Sequence, residues 1–180
     1  MSAGPLLGGA YFMRMQAAAP GRVYTIGVYG SNKERFFRAI GEAGIDIFLD
    51  VRRRRGVRGP LYPFANAKRL MAELAELGIP YRHILELAPQ NATREIQYAA
   101  DARAKQRKSE RRTLAPEYIR EYVPQTLDVF DFAALAKELH AFHAPVLCCV
   151  ERYPEACHRS LVAPQLAQAM HADEVVHLFP

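Results

Sequence analysis

The sequence predicts an α/β fold: a three-layer, Rossmann-like domain with a central, mostly parallel sheet of about five strands and helices on both faces. Three observations carry that expectation. Short apolar or alternating runs of strand length recur at Arg22–Gly27, Ile45–Val51, Ile79–Leu85, Val146–Val150 and Glu174–Phe179. Segments of helical period separate them, most clearly Ala67–Leu77, where Leu70, Leu74 and Leu77 share one stripe. Glycines stand where helices should stop, at Gly44 and Gly78. Strand and helix in alternation build a parallel sheet through right-handed crossovers.

The elements follow in order. Arg22–Gly27 alternates and is rich in β-branched and aromatic residues, so it reads as the first strand. Ser31 and Glu34 have the spacing of a capping box, which predicts a helix through Phe36, Phe37 and Ile40. Ile45–Val51 is a buried second strand. After it, Arg52–Pro63 is broken repeatedly by glycine and proline and must be a loop, placed where open parallel sheets put their ligands. Ala67–Leu77 is a helix and Ile79–Leu85 the third strand.

From Ala92 to Arg112 the pattern changes. Seven basic residues there (Arg94, Arg103, Lys105, Arg107, Lys108, Arg111 and Arg112) face three acidic ones, Glu95, Asp101 and Glu110. Few of these residues can pack, which predicts a solvated helix or a mobile basic insertion around residues 92–112. Pro116 restarts the chain, and Tyr118, Ile119, Tyr122 and Val123 form a short apolar stripe. Asp131 is placed to cap a helix over Phe132–His143. The fourth strand follows Pro145. A helix then runs to about Met170, with Pro164 acceptable only in its first turn or at a kink. Glu174–Phe179 is the last strand.

At 180 residues, half of them hydrophobic, the chain is long enough for one domain with a sizeable core. Residues 1–21 read as a poorly ordered tail and 22–180 as a single α/β domain. No apolar run is long enough to cross a bilayer, so no membrane partner is expected. Three cysteines, two of them adjacent, make no disulfide framework, which points to a reducing cytoplasm. A net charge of +5 leans toward anionic partners.

The chemistry gathers between Pro145 and Leu161. All three cysteines fall there, followed by His158 and Arg159 at the start of a helix. Alternation along the strand puts Cys149 and Glu151 on one face, Cys148 and Val150 on the other. Cys148 reads as a small core residue. Strands two and four end at Asp50-Val51-Arg52 and Cys149-Val150-Glu151, so both ends emerge on one sheet edge. Cys149 is the expected nucleophile, with Cys157 its redox partner across the turn. Arg159 and the helix N-terminus should lower the pKa of Cys149. Glu151 or His158 should move protons, with Asp50 orienting an arginine. Arg52, Arg55 and Arg159 should bind an anionic group, within a run Arg52-Arg53-Arg54-Arg55 plus Arg58 that exceeds what a solvated face requires. No metal is expected: adjacent Cys157 and His158 would strain a tetrahedral site, and no paired motif supplies a fourth ligand. The bland alternatives stay open. Cys149 is equally readable as a packed spectator, and Asp50, Arg52, Glu151 and Arg159 as a structural ion-pair network.

Tyr24-Thr25-Ile26-Gly27, Asp50-Val51-Arg52, and Cys149-Val150-Glu151 with Cys157-His158-Arg159 together resemble the domain-of-unknown-function 488 family (DUF488), from Arg22 onward. The C-x-E…C-H-R stretch is the more specific part. Members typically carry a serine or histidine-serine pair after the first glycine, where this chain has Val28-Tyr29-Gly30-Ser31. The resemblance implies the fold and the site but no reaction or cofactor. A layout similar to rhodanese domains matches Cys149 and Arg159-Ser160 only by analogy.

Two functions from different classes follow. One is a thiol-dependent enzyme acting on a phosphate-bearing or other anionic small molecule at the carboxyl edge of the sheet. The other is a nucleic-acid-binding module whose cysteine, histidine and arginine cluster is structural. In that case the arginine loop and basic insertion would track phosphates, and Tyr62, Phe64 and Tyr98 would stack on bases.

Overall fold

The computed structural model describes residues 21–57, 59–107 and 110–180. The tail expected over residues 1–21 therefore lies, Gly21 apart, outside the described residues, as does Arg58 of the arginine run. Five strands form one sheet: β1 (Arg22–Gly27), β2 (Ile47–Asp50), β3 (Tyr81–His83), β4 (Pro145–Cys149) and β5 (Glu174–Leu178). Their order is β3-β2-β4-β1-β5, and every neighbouring pair is parallel. The mostly parallel sheet of the sequence reading is thus parallel throughout.

Six helices cover its two faces: α1 (Lys33–Glu42), α2 (Ala67–Glu76), α3 (Asn91–Arg103), α4 (Pro116–Tyr122), α5 (Phe132–Glu138) and α6 (Arg159–Met170). One core layer packs Ile26, Phe48, Val146 and Cys148 of the sheet against Phe36 and Ile40 of α1 and Leu70 and Leu74 of α2. The opposite layer packs Val23, Leu49, Leu147 and Cys149 against Tyr118 and Tyr122 of α4, Leu135 of α5, and Val162, Leu166 and Met170 of α6. Each fully buried aliphatic or aromatic side chain contributes about 1.5–3 kcal/mol. Adjacent Cys148 and Cys149 belong to different layers, as strand alternation requires.

The topology decides where the site lies. From β1 the chain moves to β2 and β3, with α1 and α2 on one face; from β3 it returns to β4 and β5, with α4 to α6 on the other. Right-handed crossovers demand that reversal of direction change the face. Connections leaving β2 and β4 therefore diverge, opening a crevice between the carboxyl ends of these two paired strands.

Local chemistry differs from the sequence reading in four places. Asn32, not Ser31, caps α1: its Oδ1 accepts from Arg35 N at 2.9 Å, while Ser31 Oγ donates to the Asn32 carbonyl at 3.1 Å. Asn32 and Arg35 are three positions apart, so the Asn32 amide oxygen reaches the orphan N–H without a reciprocal carboxylate. Helix α5 ends at Glu138 rather than His143, although Asp131 caps it as expected through Ala134 N at 2.8 Å. Pro164 is the sixth residue of α6, past the first turn, which deprives the Ser160 carbonyl of its helical donor. The basic segment is helical over α3 and most of its described residues are exposed, but it packs more than the sequence reading expected. Thr93, Gln97, Asp101 and Arg111 are buried, Gln97 Oε1 accepts from Ala115 N at 2.8 Å, and Leu114 N donates to the Glu155 carbonyl at 3.0 Å. Polar side chains pack here because they find partners; an apolar stripe was not required.

Candidate active site

The ends of β2 and β4 are held in register by Val51 N donating to the Cys148 carbonyl at 3.1 Å. β1 flanks β4 on the other side, with Val28 N donating to the Cys149 carbonyl at 3.2 Å and Tyr29 N to the Val150 carbonyl at 2.8 Å. Gly27 lets this edge close. A Cβ there would stand 2.0 Å from the Glu151 carbonyl oxygen and 3.2 Å from an Arg159 nitrogen, so only glycine fits.

At the end of β2, Asp50 and Arg52 are fully buried and bound to each other. Arg52 Nε donates to Asp50 Oδ1 at 2.8 Å and Nη2 to Oδ2 at 2.6 Å, while Nη1 reaches the Ala65 carbonyl at 2.8 Å. Asp50 also accepts from Arg52 N at 3.0 Å and the Tyr81 hydroxyl at 2.7 Å. Burial alone would lower the Arg52 pKa, but the bonds from Asp50 outweigh it and raise the guanidinium above its usual range. Tyr81, half-buried beside Asp50, is pushed up to about 12, chiefly by desolvation. This pair is engaged as an ion-paired hinge pin beneath the loop.

At the end of β4 three soft donors meet. His158 Nδ1 lies 3.7 Å from Cys149 Sγ and 3.8 Å from Cys157 Sγ, and the three atoms are all within 4.8 Å of one another. His158 Nε2 is 3.0 Å from the Val51 carbonyl. A carbonyl only accepts, so Nε2 carries the proton, and Nδ1 turns toward the sulfurs. Cys149 Sγ also stands 3.7 Å from Glu151 Oε2. The edge of Tyr122 packs on the imidazole, ring centroids 5.6 Å apart, and the Tyr122 hydroxyl donates to the Leu87 carbonyl at 2.6 Å.

Electrostatics divides the two thiols. Cys149 is held well above the ordinary thiol range by its contact with Cys157, then by burial and the Glu151 carboxylate. For Cys157 burial opposes ionisation, yet the hydrogen bond from Cys149 and the positive charges of Arg159 and His158 prevail and hold it well below that range. The sequence expectation is a lowered pKa at Cys149; the direction instead favours ionisation of Cys157, the thiol next in sequence to His158 and the start of α6. Desolvation works against a charged His158, but Cys157 and the Val51 carbonyl raise it. Cys148, fully buried on the opposite layer, is pushed up to about 12 by burial.

A cleft of about 540 Å³ opens over these atoms, lined by Cys149, Cys157, His158 and Glu151 at its floor and by Arg53, Arg54, Arg94 and Tyr98 on its walls. Arg111, also lining it, binds Asp101 through Nε at 3.1 Å and through Nη2, and its Nη1 is 3.6 Å from Glu151 Oε1. The two expected anion binders outside this lining are Arg55, whose Nη1 is 3.5 Å from the Tyr81 hydroxyl, and Arg159. Arg159 donates to the Glu151 carbonyl at 2.6 Å and the Arg152 carbonyl at 2.9 Å, fixing the loop after β4. Among the described residues no carboxylate pairs with Arg159, which is 1% exposed, so its field falls on the nearby thiols. Of the aromatic residues expected to stack, Phe64 is buried in the core against Phe36, whereas Tyr98 is exposed at the cleft wall.

Sequence reasoning named Arg94, Asp101 and Arg111 only as parts of a basic segment and Tyr98 only as a stacking residue; it missed Gln97 and did not bring Arg94, Gln97, Tyr98, Asp101 and Arg111 together at this cleft. Four of them, at 94, 97, 98 and 101, have the three- and four-residue spacing of a single helix face, and that polar stripe was the available signal. Arg111 left no such trace, because its partners lie ten and forty residues away in the chain.

All three cysteines are free, and no helix among the described residues is long and apolar enough to span a membrane. No curated protein and no solved structure matches the chain. The model of one family does, over residues 32–166, less than the extent from Arg22 that the motifs suggested: the chain belongs to the domain of unknown function DUF488.

Proposed function

We propose that this chain is a thiol-dependent transferase or hydrolase for an anionic small molecule, with Cys157 as its nucleophile. The observation that carries the proposal is the meeting of two thiols and an oriented imidazole at the floor of an arginine-walled cleft. With its proton passed to His158 Nδ1, Cys157 Sγ bonds to the electrophilic centre of the substrate as the bond to the leaving group breaks. The departing electron pair takes the proton from His158, and substrate charge rests against Arg53, Arg54 and Arg94. Glu151 and Arg111 position one another in the cleft lining. Asp50 and Arg52 support this edge without touching substrate.

The test is adduct formation on the reduced protein with two anionic donors, acetyl phosphate and thiosulfate, read by peptide mass spectrometry. An added acyl group or sulfur on the Cys157 peptide, lost in Cys157→Ser and suppressed by inorganic phosphate, is expected. Absence of any adduct from both donors, or the same adduct in Cys157→Ser, overturns it. A nucleic-acid-binding role would instead show as salt-sensitive retention of mixed-sequence RNA or DNA with inert cysteines.

A further inference from the structure

Cys157 and His158 are neighbours in sequence, and neighbours rarely ligate one ion. The backbone resolves the difficulty here. Cys157 is extended (φ −142°, ψ 141°) and His158 is helical (φ −59°, ψ −20°), a change of conformation that turns both side chains toward Cys149. Zinc bonds of about 2.3 Å to sulfur and 2.0–2.1 Å to nitrogen place tetrahedral S and N ligands roughly 3.6 Å apart. The 3.7 and 3.8 Å separations from His158 Nδ1 to the two sulfurs lie close to that spacing.

We propose that Cys149, Cys157 and His158 form a site for a thiophilic divalent cation of the zinc class, with the fourth position open to the cleft. The Val51 carbonyl, 3.0 Å from Nε2, supplies the outer contact that fixes a metal-binding histidine in the tautomer with Nδ1 free. Two thiolates balance the two charges of the ion, so binding releases two protons to solvent, one from Cys149 and the one held between Cys157 and His158, and adds no net charge beside Arg159. Glu151, with Oε2 3.7 Å from Cys149 Sγ, borders the fourth position, where water or an anionic ligand would sit. The site goes beyond the covalent chemistry proposed above: an ion engages both sulfurs, so the metal-bound chain does not form the Cys157 adduct.

The probe is Co²⁺ titrated into the reduced, full-length chain. Sulfur-to-cobalt charge transfer and the visible bands of tetrahedral cobalt should appear, saturate at one equivalent and vanish on adding Zn²⁺. Cys149→Ser and Cys157→Ser should each lose about half of the charge-transfer intensity, one of two Cys ligands being removed. Cys148→Ala should leave the spectrum unchanged. No bands, or bands of equal strength in Cys157→Ser, overturn the site. In the unmodified protein one equivalent of Zn²⁺ should slow alkylation of Cys149 and Cys157 until a chelator is added, and an unchanged rate also overturns it. Adducts from anionic donors without cobalt bands would remove the metal site and keep the thiol chemistry; cobalt bands without adducts would do the reverse.

Discussion

The carboxyl ends of β2 and β4 lie side by side in the sheet, and each offers an acidic residue with an arginine and a histidine close by, His83 from β3 in one case and His158 from the start of α6 in the other. At β2 every strong group is closed onto another: Asp50 onto Arg52 and Tyr81, and His83 Nε2 against the Arg52 carbonyl at 2.9 Å. At β4, among the described residues, Arg159 binds backbone carbonyls alone, and two sulfurs, an imidazole nitrogen and Glu151 line a cleft. The same residue types form a closed ion-pair cluster in one place and line a cleft in the other. What separates them is that the sulfurs and the imidazole at β4 border open space, whereas Asp50 is buried among its partners.

Breaking the β2 side should have the largest effect on stability. Asp50→Ala leaves the buried Arg52 guanidinium without its counter-charge and is expected to cost about 3–5 kcal/mol, measured by urea unfolding. An Asp50→Ala protein of unchanged stability would return Asp50 to the list of catalytic candidates. Gly27→Ala comes next. Its Cβ cannot share space with the Glu151 carbonyl, so the β4 loop must shift, at about 1–3 kcal/mol and with altered alkylation of Cys149. A substitution tolerated without loss would mean that the close approach of β1 to Glu151 does not organise the site.

These two cases show what the sequence made legible. Strand alternation separated Cys148 from Cys149, and the glycine and apolar spacing located the sheet and its carboxyl edge. Which arginines line the cleft was not legible, because Arg52, Arg53, Arg54 and Arg55 differ in their contacts and hardly at all in sequence context. The opposite pKa directions of Cys149 and Cys157 were equally hidden. They depend on the contact of the two thiols with each other and on the charges around them, which no spacing rule gives.

Smaller effects probe the β4 side. Arg54→Ala, on an exposed cleft wall, should change stability by less than about 0.5 kcal/mol. It should nevertheless reduce the preference of the thiols for iodoacetate over uncharged iodoacetamide, since it removes positive potential from the cleft. An unchanged ratio would exclude Arg54 from anion recruitment. Mild peroxide should join Cys149 and Cys157, whose sulfurs lie within 4.8 Å, and mass spectrometry should show the loss of two hydrogens, restored by a reductant. Peroxide-treated protein without that linkage would mean the pair cannot close to bonding distance.

The central claim, that β4 presents open sulfur chemistry beside a closed neighbour, is tested most directly by labelling the three cysteines of one native protein. Iodoacetate alkylation followed by peptide mass spectrometry reads each site separately, and Cys148 serves as the internal standard for a fully buried thiol. The account predicts that Cys157 is labelled first, Cys149 more slowly, and Cys148 only after denaturant unfolds the chain. Simultaneous labelling of all three, upon unfolding alone, would contradict it.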